Sequence, residues 1–87
     1  MVQFQYTVSD PMGLHARPVG LVVRAVAPYK DSCINIIYRD KHADARRMFS
    51  VMALQVKQGE TITVTVDGGK EQEIADAIKN VFVSEKL

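Results

Sequence analysis

Residues 61–66 read TITVTV, with Ile62, Val64 and Val66 alternating with Thr61, Thr63 and Thr65. Strict period two puts one set on each face of a strand, and β-branched residues suit a pleated, half-buried surface. A strand with one apolar face needs neighbouring strands and a second layer over that face. The neighbours are legible. Val2, Phe4, Tyr6 and Val8 alternate with Gln3, Gln5, Thr7 and Ser9. Ile34, Ile36 and Tyr38 alternate with Cys33, Asn35 and Ile37. Arg39-Asp40-Lys41 then predicts a tight turn into a short strand near His42 to Ala45.

The covering layer has a different period. Val19, Val22, Val23 and Val26 fall at i, i+3, i+4 and i+7, one stripe of a helix. Pro18 is tolerated only in a first turn, which puts the start of this helix at about His15 or Ala16, and Pro28 bounds its end. Arg47 to Leu54 reads as a short helical run. Ile74, Ala77, Ile78 and Val81 mark a last helix, with Glu71 and Glu73 where negative charge suits the helix dipole. The order is β-α-β-β-α-β-α. It predicts a two-layer α+β fold, a four-stranded antiparallel sheet with three helices on one face. At 87 residues one domain, 1–87, is expected, and 47% apolar with 24% charged residues is a globular composition.

Charge excludes some functions. Eleven Lys and Arg against ten Asp and Glu leave +1, too little for a strongly basic nucleic-acid domain. The single cysteine, Cys33, makes no internal disulfide and holds no structural zinc alone. A small packing role is expected for it, in a reducing, cytoplasmic setting. No apolar run approaches the length of a membrane span, and the first ten residues lack the pattern of a secretory signal.

Two histidines are available. His42 has no carboxylate or cysteine at ligand spacing and reads as a surface or packing residue. His15 lies where a glycine-containing loop enters a helix, with Arg17 two residues on. Free N–H groups at a helix start carry partial positive charge and suit a phosphate. An arginine beside them adds a planar charged donor. On position alone two roles stay open for His15: capping the helix, or presenting a ring nitrogen to a phosphoryl group.

Residues 13–18 read GLHARP, and 59–64 read GETITV. With the length and the element order, these segments resemble the histidine-containing phosphocarrier (HPr) family of the bacterial sugar phosphotransferase system across essentially the whole chain. The resemblance implies an open-faced β-sandwich. It implies that His15 accepts a phosphoryl group from enzyme I and passes it to enzyme II A-domains. It gives Arg17, with the backbone N–H groups of Ala16 and Arg17, the task of steadying that group. It implies no cofactor and no metal. By this resemblance the chain is expected to be a carrier rather than a stand-alone enzyme, and a monomer.

The short second helix places Val51 and Leu54 toward the core and Met48, Phe49 and Met52 on another face. The family resemblance makes that face a docking patch for enzyme I and enzyme II domains, which Gly20 and Arg24 extend. Burial of the whole helix is the alternative for the patch, and a plain solvated charge the alternative for Arg24.

One position departs from the family. A branch of it carries a kinase-regulated serine just before this helix, and the aligned residue here is Arg47, which accepts no phosphoryl ester. Ser50 lies on another face and does not inherit the role. The departure keeps a second function open, a regulatory paralogue that acts by binding proteins. A nucleic-acid or peptide-binding sheet domain is a third, disfavoured by near-neutral charge and the lack of an aromatic-basic stripe.

Overall fold

A computed structural model describes residues 1–87. The elements are β1 (Val2–Thr7), α1 (Ala16–Val26), β2 (Cys33–Tyr38), β3 (Lys41–Asp44), α2 (Met48–Met52), β4 (Thr61–Asp67) and α3 (Glu71–Ser84). The strands form one sheet in the order β1-β4-β2-β3, and every neighbouring pair is antiparallel. The fold is α+β, an open sheet with three helices on one face.

The registers show why one face is covered. Phe4 pairs with Val64, Val64 with Ile36, and Ile36 with Ala43, so one apolar row crosses all four strands. The next row, Gln5, Thr63, Ile37 and His42, lies on the open face. A one-residue slip would exchange the two rows, so burial of one face fixes the register. Val19, Val22 and Val26 of α1 are buried over the sheet, with Val51 of α2 and Ile74, Ala75, Ile78 and Phe82 of α3. Phe82 is the largest of the fully buried side chains. Its ring lies 4.7 Å from that of Tyr6 and 6.4 Å, edge-on, from that of Phe4.

The structure corrects several expectations. Cys33 is exposed rather than packed. It opens β2 opposite Asp67, and the alternation that buries Ile34 and Ile36 turns residue 33 outward. The third strand begins one residue earlier than expected, because Lys41 pairs with Tyr38 across the Arg39–Asp40 turn. Helix α2 is shorter than the Arg47–Leu54 run, although Leu54 is buried as expected. The buried stripe of α3 runs through Ala75 and Phe82, with Ala77 and Val81 at its half-buried margin. Val23 is likewise half-buried.

Candidate functional site

The loop that leads into α1 is built residue by residue. Val8 is fully buried and held on both sides: its N–H donates to the Glu60 carbonyl at 2.9 Å, and its carbonyl accepts the Gly59 N–H at 2.7 Å. Asp10 to Gly13 then form a turn closed by the Gly13 N–H on the Asp10 carbonyl at 2.9 Å. Pro11 presets the second turn position, and the Asp10 side chain caps the turn from within: Oδ1 accepts the Met12 N–H at 2.8 Å. Gly13 has φ 68°, and a Cβ there would stand 2.2 Å from the Val56 carbonyl oxygen. Only glycine fits both demands. Leu14 donates its N–H to the same Val56 carbonyl at 3.1 Å and buries its side chain. His15 follows in extended conformation as the N-cap of α1.

The His15 side chain makes no capping bond. Its Nε2 instead lies 2.9 Å from Asp10 Oδ2. The ring is therefore not used to close the helix. Nδ1 has no hydrogen-bond partner within the chain, and the N–H groups of Ala16 and Arg17 have no acceptor there. The Asp10 carboxyl is held below the ordinary carboxylate range. The Met12 N–H is the main cause, and the hydrogen bond and charge of His15 add to it against a smaller opposing effect of burial.

Arg17 is exposed, and its Nε lies 3.5 Å from Oε1 of Glu85, just past the end of α3. The last residue closes the site from behind. Leu87 is fully buried, and its carbonyl oxygen accepts the N–H groups of both Ser9 and Asp10.

The other sequence candidates lie around this loop and on α2. A Cβ at Gly20 would meet nothing within 4 Å, so its side of α1 is open. Arg24 is exposed in the last turn of α1. Phe49 is 85% exposed, whereas Met48 and Met52 are half-buried against the core. The apolar face of α2 therefore has one projecting aromatic between two partly inserted methionines. Arg47 is the N-cap of α2 with no side-chain capping bond. Arg46 turns inward and donates to the Tyr29 carbonyl. His42 is exposed on the open face of the sheet, away from the helices. No three His, Cys, Asp or Glu side chains converge as metal ligands do.

A family model described as the phosphorylation site of the PTS HPr component matches residues 2–84. The chain belongs to the HPr family. The phosphocarrier protein HPr of Mycoplasma capricolum is 30% identical over 87 residues, spanning 100% of this chain and 97% of the relative. A solved histidine-containing phosphocarrier protein of Mycoplasma superposes with a TM-score of 0.94 at 30% identity, covering 99% of this chain and 97% of the other. The Bacillus subtilis catabolite repression protein Crh, solved as a domain-swapped dimer, superposes with a TM-score of 0.74 at 28% identity over 98% of this chain and 97% of its own.

Three residues of this HPr site escaped the sequence reading. Asp10 was not among the sequence candidates, and Glu85 and Leu87 carried no signal at all. For Asp10 a hint was present: a carboxylate five residues before a histidine, across a Pro-and-Gly turn, comes back onto the ring. Glu85 and Leu87 reach the loop from more than 65 residues away in sequence, which no local pattern encodes.

Proposed function

We propose that this HPr-family chain is a phosphoryl carrier whose His15 accepts the group from phosphorylated enzyme I and passes it to enzyme II A-domains of a sugar phosphotransferase system. The observation that carries this reading is the state of the His15 ring. Nε2 is held by Asp10, while Nδ1 is unengaged at the start of a helix whose first N–H groups are unused. The Nδ1 lone pair forms the new bond to phosphorus as the donor's P–N bond breaks and its electrons return to the donor nitrogen. Such transfers depend on positioning and charge neutralisation more than on proton chemistry. The N–H groups of Ala16 and Arg17 and the Arg17 guanidinium supply that charge. No cofactor enters the step.

Partners dock on the surface of Gly20, Arg24, Met48, Phe49 and Met52, and the 1–87 domain acts as a cytoplasmic monomer. A single projecting aromatic suits an anchor. Incubation with phosphoenolpyruvate and enzyme I tests the function. An acid-labile phosphate on His15, abolished by His15→Ala in a folded protein, is expected. Label on His42, or none on either histidine, overturns the reading.

Arg47 at the α2 N-cap favours a second reading, a regulatory paralogue that works through protein binding. The fold likeness to Crh is compatible with it. Transfer from the phosphorylated chain to an enzyme II A-domain separates the two readings, because the regulatory one does not require it.

A further inference from the structure

Phosphoryl transfer through His15 leaves the Asp10 carboxylate without a task. Resting on that carrier function, we infer that Asp10 is a positioning residue that holds a proton on Nε2 of His15 before and after transfer. Its contact both selects Nδ1 as the accepting atom and makes the phosphoryl group easier to hand on.

The carboxylate is immobilised at every polar atom of the residue. Oδ1 accepts the Met12 N–H, Oδ2 faces Nε2 at 2.9 Å, the backbone N–H donates to the Leu87 carbonyl at 2.8 Å, and the backbone carbonyl accepts the Gly13 N–H at 2.9 Å. An ionised carboxylate only accepts hydrogen bonds. The nitrogen in contact with it therefore carries the hydrogen, and the lone pair of the neutral ring is left on Nδ1. A ring without this partner would divide its proton between the two nitrogens.

The same contact matters after transfer. Once Nδ1 is bonded to phosphorus, a ring that keeps its Nε2 proton is a cation, and Asp10 lies against that charge. Arg17, two residues on in α1, and Glu85 past α3 are paired with each other, so Asp10 is the charged group in contact with the ring. On discharge the electrons of the Nδ1–P bond return to the ring. A protonated ring then leaves as neutral imidazole, and an unprotonated one as an anion, a much poorer leaving group. By favouring the cation, Asp10 extends the pH range in which discharge is fast.

Asp10→Asn, which keeps an acceptor for the Met12 N–H, and Asp10→Ala are compared with the parent chain by three readouts. Nitrogen NMR above the ordinary imidazole range should show a single Nε2–H tautomer for His15 in the parent, a mixture in Asp10→Ala, and a shift toward the Nδ1–H tautomer in Asp10→Asn, whose amide NH2 then faces Nε2. Loading with phosphoramidate needs no partner protein, and phosphorus NMR then reports which ring nitrogen is modified. A mixture of isomers is expected only in the variants. The midpoint of the pH profile for phosphohistidine hydrolysis should fall by about one pH unit in Asp10→Asn, slowing discharge about tenfold above it. Identical tautomers, isomers and profiles in folded parent and variants overturn the inference. Failure of enzyme I to label the parent chain would overturn the carrier function instead and leave these readouts standing.

Discussion

The carbonyl oxygen of Leu87 lies 2.8 Å from the Asp10 nitrogen, so the far end of the chain holds the loop that presents His15. The side chain below that bond is fully buried beside Leu14 and Phe82. Leu87→Ala should therefore cost about 2–5 kcal/mol in denaturant unfolding, as cavity-forming substitutions do. Amide exchange at Ser9 and Asp10 should accelerate more than exchange in the central strand β4. Uniform acceleration everywhere would mean that Leu87 supports the core but not the loop.

Arg17 begins from an exposed ion pair with Glu85 at 3.5 Å, a pairing that contributes little stability. Its guanidinium is free to turn to a phosphoryl group. Arg17→Lys should lower turnover in transfer more than affinity for enzyme I, because lysine lacks the two-pronged donor. Steady-state kinetics separate the two. Normal turnover in this variant and in Arg17→Ala removes Arg17 from the mechanism.

Phe49 and Phe82 make opposite predictions. Phe49 is 85% exposed, and Phe82 is 1% exposed. Phe49→Ala should leave the thermal midpoint nearly unchanged and weaken enzyme I about thirtyfold, the equivalent of about 2 kcal/mol for an aromatic anchor. Phe82→Ala should cost about 3–5 kcal/mol of stability. Unchanged affinity in Phe49→Ala moves the docking face elsewhere.

Arg47 occupies an N-cap that it does not close. Serine is a strong N-cap residue, so Arg47→Ser should raise stability by about 1 kcal/mol. It should also supply the hydroxyl that an HPr serine kinase needs. The unmodified chain should take no phosphate at position 47, which mass spectrometry after kinase treatment reads directly. A phosphate on Ser50 would show that the regulatory site has moved.

Stability should fall at acid pH. Glu60 is held below the ordinary carboxylate range chiefly by the Tyr38 hydroxyl, with the Lys57 N–H and Arg39 assisting. Glu71 is lowered by the Gly68 N–H first and then by the amino terminus, and Asp10 by the Met12 N–H first. A carboxylate with a depressed folded pKa stabilises fully above its unfolded pKa and loses that contribution as pH falls through the folded one. Unfolding free energy should therefore hold down to about pH 4–5 and decline below it. Tyr38→Phe removes the main cause at Glu60 and should flatten that decline in chemical denaturation at a series of pH values.

The strands, the helices and, apart from the shifted stripe of α3, their apolar sides were legible in the chain because periodicity is a local property. TITVTV became β4, and Pro18 marked the first turn of α1. His15 and Arg17 stood out for the same reason, since a helix start needs only neighbouring residues. The sheet order β1-β4-β2-β3 was beyond that reach, because it depends on which distant strands bury their faces together. Only the fold turned Cys33 outward and set Met48 and Met52 half into the core beside the exposed Phe49. Only the fold brought Asp10 onto His15, Glu85 onto Arg17 and Leu87 under the loop. Glu85 and Leu87 join chain segments that approach each other only after the core has formed, so spacing in the sequence carries no trace of their contacts.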